Sequence, residues 1–248
     1  MKHSELTALA GEEQFQFACH PEVPCFNACC RDLNQALTPY DLLRLKSALN
    51  LSSAEFIARY AAVHSGPATG LPIVSLRFGD TAQRTCPFVC PTGCQVYAHR
   101  PSSCRIYPLA RMLRRCREDG RVTEHYALLQ EPHCQGFRQK RYQNVEQWIA
   151  GQELTEYNRM NDALMELIAL KNRLHPQPLA HALQQNAQIA LYNVEVLKEK
   201  AIAGQLADCH NPRLMPMPAA DDDPGWLLWG LQWLESELAN SNAARKHP

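Results

Sequence analysis

The sequence predicts a mainly α-helical fold with a small β element, in which an irregular cysteine-rich module precedes a helical hairpin. Three observations carry that expectation. Of the 11 cysteines in 248 residues, ten lie between Cys19 and Cys134. Apolar residues recur at helical spacing through most of the second half. Pro, Gly and Cys crowd the stretch from Cys86 to Pro108, which leaves no room there for a long element. Hydrophobic residues make up 46% of the chain, enough to fill a core, and this excludes wholesale disorder.

The elements follow in order. Thr38 suits an N-cap and Pro39 the first helical position; Leu42, Leu45 and Leu49 then share a stripe, so a short helix spans about 39–49. Ser52 and Glu55 form a capping box for a second helix, which Phe56, Ile57, Tyr60 and Val63 continue until Gly66-Pro67 and Gly70 stop it. Leu71 to Phe78 alternates with period two and reads as a strand, followed by a turn at Gly79-Asp80. In the Cys86–Pro108 stretch, Pro87, Pro91 and Gly93 argue against a helix that would align Cys86, Cys90 and Cys94, so a knuckle held by its ligands is expected. An arginine-rich stretch and a second strand, Val122 to Leu129, follow. Met160, Leu164, Leu167 and Leu174 mark a long helix ended by His175-Pro176, and Leu179 to Leu197 marks another. Residues 206–225 read as a linker. A last helix carries Trp226, Trp229 and Trp233 on one face, for core packing rather than a membrane surface, since it lacks a basic polar face. The expected division is 1–140 for the cysteine module, 141–205 for the hairpin, 206–225 for the linker and 226–248 for the Trp-rich helix and tail.

Lys+Arg and Asp+Glu balance at 25 each, giving a net charge of +0 and none of the basic excess of a nonspecific nucleic-acid binder. The N-terminal stretch lacks an apolar signal region, and the apolar run from Trp226 to Leu234 is too short to span a bilayer, so a cytoplasmic protein without a membrane span is expected. In a reducing compartment clustered cysteines are more often metal ligands or redox groups than disulfides. The vicinal pair Cys29-Cys30 also suits bridging poorly, and 11 is odd. Thiolates are soft ligands for zinc and for iron–sulfur clusters. No C-x2-C pair of the zinc-finger kind is present, and the three-residue gap between Cys90 and Cys94 departs from a radical-SAM motif.

Phe17-Ala18-Cys19, Cys25, Cys29-Cys30, Leu37 to Leu42, Cys86-Pro87-Phe88 and the run Gly93-Cys94-Gln95-Val96-Tyr97 through Arg100-Pro101, Cys104-Arg105 and Tyr107-Pro108 resemble the YkgJ-type cysteine-cluster family. The resemblance covers roughly residues 15–137. It implies a zinc- or iron-chelating domain without a common reaction, with Cys19, Cys25, Cys29 and Cys30 as one ligand set and Cys86, Cys94, Cys104 and Cys134 as a later one. Cys90 and Cys116 are extras, Cys209 is a bystander, and five residues between Cys19 and Cys25 exceed the family's usual gap. His20 and His133 each adjoin a ligand and could substitute for one, although a histidine beside a cysteine is more often an outer neighbour or a surface residue. Whether the eight thiols make one site or two stays open.

Four thiolates on a divalent metal leave a charge of minus two, which calls for nearby cations. Arg100 and Arg105 flank Cys104 and are the expected cofactor-binding donors, whereas Arg114, Arg115 and Arg117 read as a solvated basic face. The leading expectation is a cytosolic protein that holds zinc or an iron–sulfur cluster and whose helical half packs on the module or docks a protein partner. A similar cysteine block occurs in flagellin lysine N-methylases, which raises the alternative of an S-adenosylmethionine-dependent methylase; no G-x-G, Walker A, H-E-x-x-H or G-x-S-x-G motif supports it. A nucleic-acid module stacking bases on Tyr97, Tyr107 and Tyr126 ranks last.

Overall fold

The computed structural model describes residues 4–10, 12–67, 69–79, 84–116, 118–207, 209 and 214–246. In chain order its strands are β1 (Glu5–Leu9), β2 (Phe15–Gln16), β3 (Ala36–Leu37), β4 (Ala61–Ser65), β5 (Pro72–Leu76), β6 (Val89–Cys90), β7 (Gly93–Cys94), β8 (Leu109–Arg115), β9 (Val122–Gln130) and β10 (Tyr142–Gln143). Its helices are α1 (Pro39–Ala48), α2 (Ser53–Tyr60), α3 (Ser102–Ile106), α4 (Val145–Gly151), α5 (Leu154–Leu174), α6 (His181–Tyr192), α7 (Val194–Ile202) and α8 (Asp223–Lys246). The chain divides into two compact units, residues 1–33 with 78–156 and residues 34–77 with 157–248.

The expected mainly α class with a single small β element is corrected. The fold is mixed α/β, 45% helical and 19% strand, with eight helices and four small sheets among the described residues. Four of the missed strands have physical reasons. The segment Leu109–Arg115 reads as a basic stretch because three of its seven residues are arginines, yet it pairs antiparallel with β9 along its whole length, and β9 pairs with β1. Val63 falls at helical spacing from Tyr60, but α2 ends at Tyr60 and the chain turns directly into β4, which forms a hairpin with β5. Two-residue strands such as β6 and β7 are too short to leave a periodic signal.

The first unit packs around aromatic rings. Phe17 meets the rings of Phe137, Trp148 and Tyr107 edge-on, with centroids 5.1, 5.6 and 5.8 Å away. Trp148, on α4, donates Nε1–H to Ile106 O at 3.0 Å. Asn144 and Gln147 cap α4 reciprocally.

In the second unit the expected N-cap at Thr38 and the expected capping box of Ser52 and Glu55 both form, and Asp41 turns the first into a capping box as well. Thr38 Oγ1 accepts from Asp41 N–H while Asp41 Oδ2 accepts from Thr38 N–H, and Ser52 and Glu55 do the same. The expected helical hairpin is also corrected. The 179–197 segment is two helices, broken at Asn193, whose side chain caps α7 through Val196 N–H, and the main packing partner of α6 is α8. Gly230 permits that approach, because a Cβ there would meet Leu197 Cδ2 at 2.6 Å and Ala190 O at 2.9 Å. Trp226, Trp229 and Trp233 are core residues, at most 1% exposed, as their face predicts. Their indole N–H groups donate to Ala219 O, Met215 O and Ala207 O, so the described part of the segment read as a linker is tied to α8. Lys46 is buried and bonds Asp223 at 2.7 Å and Glu195 at 3.0 Å. Asp80, of the expected turn, and Arg117 lie outside the described residues. Among those described, no helix is long and apolar enough to cross a membrane.

Candidate metal centre

The cysteines come from four segments that no single element could bring together. Cys25 precedes, and Cys29 and Cys30 lie on, a 3-10 turn spanning Ala28–Cys30, entered through Asn27 in the left-handed region at φ 66. Asn27 fixes that turn to the β6–β7 hairpin by donating Nδ2–H to Cys90 O at 3.1 Å. Cys86 reaches the same place because its N–H donates to Cys30 O at 2.9 Å, beside a bridge between Arg31 and Thr85. Cys94 lies on β7, Cys104 on α3, and Cys134 in the turn after β9. Ala18 N–H donates to Gly136 O at 3.1 Å, which seats Cys19 against that turn. A Cβ on Gly136 would strike the Phe17 ring and stand 2.9 Å from Ala18 O, so only glycine allows this approach.

All eight expected ligands fall in one neighbourhood. Cys19 feels Cys29, Cys25 and Cys134; Cys30 feels Cys29, Cys86 and Cys104; Cys86 feels Cys94 and Cys29. All eleven cysteines are free thiols, with Cys19, Cys29 and Cys104 reaching the surface and the other five of the set half-buried. Among the described residues no three of these side chains stand in a closed coordination array, so the thiols form a gathered set rather than a finished shell.

Backbone donors complete the surroundings. The N–H of Phe88 favours charge on the sulfur of Cys86, that of Val96 on the sulfur of Cys94, and that of Gly136 on the sulfur of Cys134. Gln135 N–H donates to Cys25 Sγ at 3.1 Å. At Cys86, Cys94 and Cys134 alike, the N–H two residues on faces the sulfur, an arrangement that favours thiolate over thiol.

Burial and mutual repulsion oppose ionisation of Cys19, Cys86, Cys94 and Cys134. Loss of water around the sulfur, then repulsion from Cys29, Cys25 and Cys134, pushes Cys19 up to about 11. Burial likewise raises Cys86, Cys94 and Cys134. Within the vicinal pair a hydrogen bond from the Cys30 thiol brings Cys29 down to about 7 and pushes Cys30 up. A bound metal removes these penalties by replacing protons with positive charge. The donor set therefore fits a soft metal ion or cluster.

Arg100 supplies positive charge. It is 8% exposed, stacks over Tyr97 at 3.9 Å, donates to Tyr97 O and Gln152 Oε1, and favours the charged forms of Cys19 and Cys94. Cys104 and Cys94 in turn favour its charge. Arg105, 2% exposed, donates to the carbonyls of Arg100, Ala98 and Gln152 and pairs with Glu153, so it clamps the 98–105 segment that carries Cys104.

The remaining candidates lie around this set. Cys90 adjoins Cys94, and its sulfur sits 3.1 Å from the Thr92 hydroxyl and donates to Gly93 O. Cys116 lies in the β8–β9 turn, and Cys209 is buried in the second unit. His20 and His133 stand 3.9 and 3.8 Å from Glu22 and Glu131. Arg111 pairs with Glu124, and Arg114 and Arg115 are exposed. The backbone donors to sulfur escaped sequence reasoning; the recurrence of a turn after Cys86, Cys94 and Cys134 is the signal that could have found them.

No curated protein and no solved structure matches the chain significantly. Residues 18–144, just over half of the chain and every thiol of the gathered set, match the family described as "CxxCxxCC: Putative zinc- or iron-chelating domain". The spacing here is longer than the family's title, with five residues after Cys19 and three after Cys25, and the chain belongs to this zinc- or iron-chelating family.

Proposed function

We propose that the protein holds zinc or an iron–sulfur cluster through Cys19, Cys25, Cys29, Cys30, Cys86, Cys94, Cys104 and Cys134, with Arg100 offsetting the thiolate charge. The observation that carries this reading is the gathering of these eight thiols from four chain segments, with backbone N–H groups aimed at four of the sulfurs. Thiols without a metal repel one another and resist ionisation, so the gathering costs free energy that ligation returns. A reducing compartment, the cytoplasm, suits eleven free cysteines. The test is elemental analysis with an absorption spectrum of protein purified under nitrogen. Stoichiometric zinc in a colourless sample, or iron with a broad visible band that bleaches in air, supports the reading. Absence of both metals from folded protein overturns it.

A further inference from the structure

The three-stranded sheet of the first unit runs in the order β1-β9-β8, so β8 is an edge strand. Among the described elements it packs chiefly on β9 and, at its start, on α3. Its ladder fixes which backbone groups reach that edge. Leu129 N–H donates to Pro108 O and Cys116 N–H to Arg121 O, both at 2.8 Å, at the two ends of a register that pairs Leu109 with Leu128 through to Arg115 with Val122 without a break. Bonded and non-bonded positions alternate in an antiparallel pair. The even-numbered residues of β8 therefore turn N–H and C=O to β9, and Leu113 turns both away from it. Side chains alternate too, so Met112 and Arg114 share one face. Met112 is 44% exposed, and Arg114 is exposed with no ion pair among the described residues.

An exposed sheet edge is a template for another strand, and its side chains decide which strand can use it. Three of the seven residues of β8 are arginines. A second copy of β8 paired about Leu113 would set Arg111 opposite Arg115, and like charges directly opposite destabilise a pair. An acidic strand meets the opposite sign instead. We propose that β8 is a docking edge for an extended acidic segment of a partner protein. The segment adds antiparallel as a fourth strand and exchanges both backbone bonds with Leu113. It sets an acidic side chain against Arg114 and an apolar one against Met112, while Arg115 adds positive charge on the other face. In an antiparallel strand the residue facing Arg114 comes two positions before the one facing Met112, so the pattern recognised is acid-x-apolar. Backbone bonds supply affinity in such strand addition, and the alternate side chains supply the choice of partner.

The test uses the full chain purified under nitrogen and a short fluorescein-labelled peptide in which threonine alternates with glutamate and then valine, so that glutamate and valine fall on one face. Fluorescence anisotropy should rise to saturation as protein is added, and the same peptide with lysine in place of glutamate should not bind. Arg114→Glu is expected to weaken the glutamate peptide by about three- to tenfold and to accept the lysine peptide in its place. Methylating the nitrogen of the peptide residue between glutamate and valine, which faces Leu113, leaves the protein unaltered and should abolish binding. Leu113→Pro should abolish it from the other side, because the N–H it removes lies outside the β8–β9 ladder. No rise in anisotropy at near-millimolar protein overturns the proposal, as does equal binding of the two peptides. Binding that survives N-methylation also overturns it, since an ion pair without an added strand would then account for the contact.

Discussion

Arg100 is the residue whose proposed role depends most on the metal. Its guanidinium is stacked on Tyr97 and bonded to Gln152, which fixes its position. Four thiolates around a divalent ion carry a net charge of minus two, and outer-shell partners of this kind are worth about 10–100-fold in metal affinity. Arg100→Gln is therefore expected to weaken binding by about that factor in competition against a chromogenic chelator, with Arg100→Lys recovering part. Unchanged affinity in Arg100→Gln would remove the arginine from the site. Arg105 shows where sequence reasoning stops: adjacency to Cys104 makes it look like a second donor, but its bonds to three carbonyls are set by the path of the backbone between Ala98 and Gln152, which no local spacing reports.

At the scale of elements, the second unit offers two sharp tests. Lys46 on α1 meets Glu195 on α7 and Asp223 at the start of α8. Burial alone would raise both carboxyls, yet bonds from Ser53 N–H and Lys46 to Glu195, and from Lys198 and Lys46 to Asp223, leave both below the usual carboxylate range. Depressed carboxyls add stability above their unfolded values near 4 and lose it as pH falls through the folded values. Burial opposes the Lys46 charge, but the same bonds raise it, so its contribution persists until well into alkali. Urea unfolding should thus show a plateau near neutrality and a decline below about pH 4, with the acid decline reduced in Lys46→Met. That variant should itself cost about 3 kcal/mol, the low end for breaking a buried pair, because Glu195 is 40% exposed. Gly230→Ala supplies the second test. Helix propensity favours alanine by about 1 kcal/mol, but the clash with Leu197 and Ala190 O is expected to outweigh it and destabilise by about 1–3 kcal/mol in the same measurement. A stabilised variant would mean that α8 can move away from α6.

For the whole molecule, legibility followed range. The N-cap at Thr38, the capping box at Ser52, the β5 and β9 strands and the tryptophan face were all readable, because each is decided within a few residues. Strand β8 was hidden by its arginines and β4 by a valine at helical spacing, since pairing partners outside the window chose the structure. The eight thiols could be named from a family pattern, but their approach to one another depends on bonds joining Ala18 to Gly136 and Cys30 to Cys86, which span most of the module. This irregular region has short strands and turns in place of long elements, so ligation should carry much of its stability. Chelation of the metal is expected to raise amide exchange between Cys86 and Pro108 while α6 and α8 keep their protection; equal loss throughout would show that the metal stabilises both units. The most direct measurement is the native mass of the intact chain prepared under nitrogen. A mass above the 28.0 kDa polypeptide by a whole number of zinc atoms or by an iron–sulfur cluster, lost on acidification, is the expected result. A folded chain at the bare polypeptide mass, unchanged after incubation with zinc or with iron and sulfide, would contradict it.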